Sequence, residues 1–381
     1  MNILIATDKF KDSQTAFQVG EGLKKGILKT FPTAICETVP LADGGEGTLE
    51  ALQIVLGGKF VTCEVQDPLF RKIQAKYLWI ASTQTAVVEM ARASGIELLK
   101  PNERNALITS TFGTGQLILD AFQKDTREII LTVGGSATND GGIGMAVALG
   151  YVFLDENHQE LKPIGENLLK ICSIDKSKIH PSISNIKFTV ATDVINPFYG
   201  ENGAAKIFAK QKGADEKSIE LLNKGLENLA QLFQKTFHLN IQQKQGSGAG
   251  GGIGGGAMAF LNAKICSAAD WILDIMDIDS KLKSANVLIT GEGKIDSQTW
   301  QGKLISRLLE RANKYHVPTI LVCGTMQDLN HILAQEGVMY ATSILNEPMS
   351  LEKAIENTSQ LIEYQGNMLG KMLLKFDHGL D

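Results

Sequence analysis

Apolar and polar positions near the start of the chain alternate between two rhythms. Residues 3–7 are an almost unbroken apolar run of buried-strand length, and Ala16, Val19, Leu23 and Ile27 then recur at spacings of three and four, the period of a helix face. Ser13 offers an N-cap for that helix. The same pair returns as a strand over 35–41 and a helix through Leu49, Leu52 and Leu56. Near the other end, 286–290, 318–323 and 338–343 predict strands, 302–315 a helix, and a long last helix begins near Leu351. Strands that alternate with helices imply a mostly parallel sheet.

The middle is less regular. Residues 60–65, 73–80, 86–90, 128–133 and 187–192 read as short strands, 215–237 and a stretch from Thr114 as helices, and 246–256 is almost entirely glycine. At 381 residues the chain exceeds one ordinary core. The expected fold is therefore two α/β domains. A Rossmann-like parallel sheet is built from both chain ends, 1–60 and 285–381, with 90–135 left open between the two. A second, mixed α/β domain is inserted at 61–284 and carries the glycine-rich segment.

Composition sharpens this only in places. The 38 glycines exceed the average usage of roughly 7% and call for a local explanation. A net charge of −5 and a pI near 5.8 provide no basic field for nucleic acid or an anionic membrane surface. The apolar stretch before Asp8 is far shorter than a secretory core or a membrane span, so a cytoplasmic protein is expected. The five cysteines are scattered without a paired spacing, which implies neither a disulfide framework nor a zinc site. None of the six histidines, His378 included, is assigned to catalysis.

Four glycine-bearing stretches also carry acids, amides or hydroxyls: 42–48, 134–142, 246–252 and 290–296. Three directly follow a predicted strand, where open α/β sheets bind ligands and glycine lets backbone N–H groups approach phosphate. Tight turns with capping residues explain any one stretch as well; four together favour phosphate. The sharper signatures fail. Residues 297–304 come nearest to a P-loop, but Ser297 replaces its first glycine and Leu304 its final hydroxyl residue. Gly246, Gly248 and Gly251 match a dinucleotide fingerprint formally, with Asp270 at a tolerable distance, yet no buried strand precedes them.

Taken in order, the chain resembles the bacterial type I glycerate kinase family over nearly its whole length. The motifs are Asp8, Phe10 and Lys11; 40–48 around Asp43; Asp67-Pro68-Leu69; Gly113-Thr114-Gly115; 134–142; Thr192-Asp193 with Asn196-Pro197; Gln211-Lys212-Gly213-Ala214; 246–252; and Thr290-Gly291-Glu292-Gly293. It departs at Thr7, Lys9 and Asp12, where the family has Pro, Ser and Gly, and at Phe70, where the family has Gly. The resemblance implies ATP-dependent phosphorylation of D-glycerate, most often at the 2-hydroxyl, with the active site in a cleft of a two-domain α/β fold. ATP and Mg2+ are the expected cofactors and small molecules the expected partners. The choice between 2- and 3-phosphoglycerate and self-association into a homo-oligomer stay open.

Phosphoryl transfer needs a phosphate cradle, acids for magnesium, cations on the transferring group and a base for the hydroxyl. Lys11 and Lys294 are the candidate cations. Asp193 is the candidate general base or metal ligand, with Glu292 as a second metal ligand. Gly134, Gly135, Ser136, Asn139, Asp140, Gly248, Gly250, Gly251, Thr290, Gly291, Glu292 and Gly293 are assigned to phosphate or nucleotide. Asp8, Asp43, Ser94 and an arginine clamp for the carboxylate, Arg71 or Arg104, are assigned to the substrate. Arg92 is less apt, and Arg307 and Arg311 are expected on an exposed helix face. The competing readings are a nicotinamide-dependent oxidoreductase and a non-catalytic ligand sensor on a kinase-like fold.

Overall fold

The two ends of the chain meet in one sheet. Strands Val338–Ser343, Thr319–Cys323, Val287–Gly291, Asn2–Thr7 and Ile35–Pro40 lie side by side in that order, and every pair is parallel. Ile3 stands between Val287 and Cys36 in register. The computed structural model describes residues 1–297, 299–300, 303–327 and 329–377. It divides into two units: Met1–Asp43, Glu50–Val55 and Ala269–Asp381 in the first, and Gly44–Leu49 and Leu56–Ala268 in the second.

In the first unit the helices Ala16–Thr30 and Leu351–Asp377 bury Val19, Leu23, Ile27, Leu361, Ile362 and Leu369 in one core with the sheet. They pack backbone to backbone: a Cβ on Gly26 would lie 2.1 Å from the Glu363 carbonyl oxygen, and one on Gly366 2.4 Å from that of Leu23. The helix is capped by Thr15 and not by the expected Ser13. Thr15 and Gln18 form a reciprocal capping box, while Ser13 is used up in a turn that closes on Phe10. Arg311, expected on an exposed face, is partly buried instead and ion-paired to Asp270, Asp274 and Asp279. Its helix is Leu304–Lys314; the predicted start at Gly302 and the adjoining Gln298 and Gln301 lie outside the described residues, as does His378.

Two departures from the resemblance acquire a physical meaning. Asp12 and Phe70, which stand where the family has Gly, both adopt left-handed backbone, with φ of 61° and 64°. Asp12 is exposed, so Asp12→Gly is expected to stabilise the protein by about 0.5–1 kcal/mol, the scale of a relieved left-handed residue less the entropy of the added glycine. Equilibrium denaturation checks this, and a loss of stability would mean that the Asp12 carboxylate makes a favourable interaction. The Phe70 ring packs near Phe112 and under Lys162, so the same change there should bring no gain.

The second unit holds a mixed sheet in the order Lys264–Cys266, Lys187–Ala191, Glu128–Thr132, Thr85–Glu89, Lys72–Ile80 and Lys59–Gln66. The first four strands are parallel and the last two join antiparallel. Phe153, Phe198, Phe233 and Phe260 pack beside Ile129, Leu131 and Val190 in its core. Residues 90–135 fall wholly in this unit. The helix Glu216–Phe237 begins after Asp215, whose carboxylate accepts from Ser218 N–H. The glycine-rich stretch is only partly irregular: a 3-10 turn at Ala249–Gly251 leads into the buried helix Ile253–Leu261. No strand precedes this segment, which removes the dinucleotide fingerprint's structural context. Among the described residues, no helix is long and apolar enough to cross a membrane.

Candidate active site

Because parallel strands point one way, their carboxyl ends share an edge, and that edge is where α/β sheets present functional loops. In the first unit the edge carries Asp8 after Thr7, Asp43 after Pro40-Leu41-Ala42, and Glu292 after Gly291. Asp8 is buried, at 8% exposure, and accepts the Lys9 N–H at 2.6 Å. Burial first, and then the charges of Asp43 and Glu292, hold its carboxyl well above the usual range. Glu292 accepts from Thr299 Oγ1 at 2.8 Å, and burial raises its carboxyl too. This edge thus concentrates negative charge. Lys11 is exposed on the following loop, and Lys294 pairs with Asp296 at 3.1 Å. Among the described residues no three metal-ligating side chains are close enough to form a complete metal cage.

The corresponding edge of the second unit carries Glu89, the loop from Gly134, Asp193 and Ser267. Asp193 accepts from Ser267 Oγ at 2.8 Å, at the ends of two neighbouring parallel strands. The Gly134 loop is stitched to 94–96: Ile96 N–H donates to the Gly135 carbonyl and Ala137 N–H to that of Ser94, each at 2.9 Å. A Cβ on Gly134 would lie 2.9 Å from Gly45 Cα, so Gly134 lets the 44–45 backbone lie against it. Gly135, at φ +69°, has only Ala91 Cβ within reach, at 3.4 Å, and lines a cavity of about 330 Å³ with Glu46, Lys76, Glu89 and Arg92. That backbone is open to a ligand.

The glycerate kinase family model matches residues 3–374. The chain belongs to the glycerate kinase family. It is 39% identical over 361 residues to the glycerate kinase of Halalkalibacterium halodurans, covering 95% of each chain. It is 38% identical over 354 residues to the glycerate 2-kinase of Escherichia coli K12, covering 93% of each. A crystal structure named glycerate kinase 2, from Salmonella typhimurium LT2, superposes with a TM-score of 0.87 at 35% identity over 99% of both chains.

In this glycerate kinase family member several of the residues assigned to ligand from the sequence also make close contacts with protein. Asp140 is sealed from solvent and accepts from Thr111 N–H and Oγ1, Gly142 N–H and Gly144 N–H; it locks the loop, and burial still raises its carboxyl. Ser94 is fully buried and shares its hydrogen bond with Thr114. Gly248, Gly250 and Gly251 touch protein: their Cβ positions fall 2.3 Å from the Pro197 carbonyl oxygen, 2.7 Å from Ile253 and 1.9 Å from the Thr138 carbonyl oxygen. Gly291 is extended and abuts the Val322 carbonyl, and Gly293 bonds through its carbonyl to Gly324 and Thr325. At each of these glycines the backbone lies against protein. Thr290 Oγ1 and both amide atoms of Asn139 are buried without hydrogen-bond partners.

The two arginines also separate. Arg71 donates to Asp67 at 2.5 Å and Glu103 at 2.8 Å, and so holds its own turn. Arg104 keeps a buried Nε without a hydrogen-bond partner, and its backbone packs on Gly213. Beside Gly213 stands the residue to which sequence reasoning gave no role, Lys212, whose ammonium is buried against Ser136 and Thr138. Its only signal was its place in 211–214, where a left-handed Gly213 follows a lysine.

Proposed function

We propose that the chain transfers the γ-phosphoryl group of ATP to the 2-hydroxyl of D-glycerate, giving 2-phosphoglycerate, in the cytoplasm. Membership of the kinase family along almost the whole chain carries this reading, and the glycerate 2-kinase among its relatives favours the 2-position. In the second unit, Asp193 takes the hydroxyl proton, with Ser267 fixing its carboxylate. Gly135 and Ser136 receive anionic oxygens, and Arg104 pairs with the glycerate carboxylate. In the first unit, Lys11 and Lys294 face the donor phosphates. Its carboxylates suit a hard cation: burial raises the Asp8 and Glu292 carboxyls, the charge of Asp43 raises both further, and a bound cation would offset that repulsion. Magnesium held there by Glu292 would offset charge on the phosphates.

A coupled assay of ADP release tests the reading. D-glycerate should support turnover, chelation of Mg2+ should abolish it, and product analysis should find the 2-isomer; release of 3-phosphoglycerate would overturn the assigned position. Arg104→Ala should raise KM for glycerate about 10- to 100-fold, the loss of a charged hydrogen bond, while KM for ATP stays near normal. Arg71→Ala should instead lower thermal stability, since it opens the turn at Asp67. If glycerol were phosphorylated as well as glycerate, the carboxylate would not be recognised and the substrate assignment would fall.

A further inference from the structure

Lysines are almost never fully buried unless paired, yet Lys212 is 2% exposed. It ends the 3-10 turn Lys210–Lys212, and Gly213 turns the chain away at φ +86°, beneath the Arg104 carbonyl. Its Nζ donates to Ser136 Oγ and to the Thr138 carbonyl, each at 2.7 Å. Of the groups around it, Asp140 on the loop is the charge that acts on Lys212, Lys210 on its own turn is exposed, and Arg104 packs through its backbone.

An ammonium has three donors and no acceptor. Once Ser136 Oγ takes an N–H from Lys212, the serine's own proton must be given elsewhere. Ser136 is not sealed, at 8% exposure, and it is the next residue after Gly135, which lines the cavity. A neutral amine, by contrast, has a lone pair that can accept the serine proton and turn the hydroxyl inward.

We infer that Lys212 is a positioning residue whose ammonium aims the Ser136 hydroxyl outward as a donor to an oxyanion of the substrate. The assignment rests on the kinase reading above and adds to it a residue, a donor direction and a proton dependence. Burial lowers the Lys212 pKa to about 7, against the opposing pull of Asp140, so both states are reached near neutral pH. The sign follows. The ammonium, present below that value, keeps the donor outward, and anion binding should weaken as pH rises through it.

Sulfate is a suitable probe, because it stays a dianion across this range. Its binding would be measured by calorimetry about one unit below and above that pKa, on the unmodified protein and on Ser136→Ala, Lys212→Met and the double variant. Each single change should weaken sulfate about 10- to 100-fold, the double should be no weaker than either single, and the fall with pH should vanish in Lys212→Met. Lys212→Arg, whose charge persists, should recover part of the affinity and also lose the fall with pH. Additive losses in the double variant, or normal sulfate binding by a Lys212→Met protein that merely melts lower, would overturn the assignment and leave Lys212 as a prop for the loop. If this cycle held while the unmodified protein failed to phosphorylate glycerate, the substrate reading would fall and the Lys212 assignment would stand.

Discussion

An Asp193→Asn protein is expected to fold normally and to lose about 100- to 10,000-fold in kcat, the range associated with removing a general base. The substitution keeps the side chain's volume and leaves an oxygen to accept from Ser267 Oγ, which now bonds to Asp193 at 2.8 Å. It removes only the charge and the ability to take a proton. Denaturation should therefore change little while turnover collapses, and KM for both substrates should move far less than kcat. Ser267→Ala should show a smaller loss, because it removes one hydrogen bond to the carboxylate and leaves the carboxylate itself in place. An Asp193→Asn enzyme with near-normal kcat would show that the proton leaves by another route.

The elements that could be read from the sequence were those whose side chains report their surroundings. The central strands of the first unit, Asn2–Thr7, Val287–Gly291 and Thr319–Cys323, announce themselves as apolar runs because both faces of a parallel sheet are covered there, and the helix at Ala16–Thr30 because Val19, Leu23 and Ile27 all meet one core. The helix Ile253–Leu261 escaped because its first turn after Ile253 is Gly254-Gly255-Gly256, and glycine carries no periodicity. These glycines are there for contact: a Cβ on Gly256 would sit 2.3 Å from the Gly141 carbonyl oxygen. The same blindness affected the site. A glycine beside open space and one that admits another backbone look alike in sequence, and only the neighbours of Gly135 and Gly248 separate them. Arg71 and Arg104 were likewise equivalent until their partners were visible, although an acid four residues before Arg71 hinted at a local pair. Lys212 was the hardest to find, since burial of a lysine is written in residues far from it, Ser136 and Thr138.

The distinction between the two kinds of glycine makes the second large prediction. Gly251, at φ +75°, accepts the Gly141 N–H through its carbonyl, and its Cβ position is 1.9 Å from the Thr138 carbonyl oxygen and 2.9 Å from Asn139 Cα. None of these neighbours is the flexible end of a side chain, so an added methyl must push the 249–252 turn off the loop that carries Ser136. A left-handed alanine costs roughly 1–2 kcal/mol and overpacking a close contact typically about 1–3 more, so Gly251→Ala should destabilise the protein by about 2–5 kcal/mol. Against a total stability of about 5–15 kcal/mol, that loss should appear as a much lower melting temperature or as poor soluble yield. Gly135→Ala is the control. Its φ of +69° carries a similar backbone cost, but its nearest neighbour is Ala91 Cβ at 3.4 Å, so the fold should lose only about 1–2 kcal/mol. Its methyl would instead stand where an anion approaches the loop, and KM should rise. The contrast lies in the pairing of readouts: stability for Gly251, substrate affinity for Gly135. If Gly251→Ala melted like the unmodified protein and lost only ATP or glycerate binding, the glycines of 248–251 would belong to the ligand after all, and the assignment of that turn to packing would have to be abandoned.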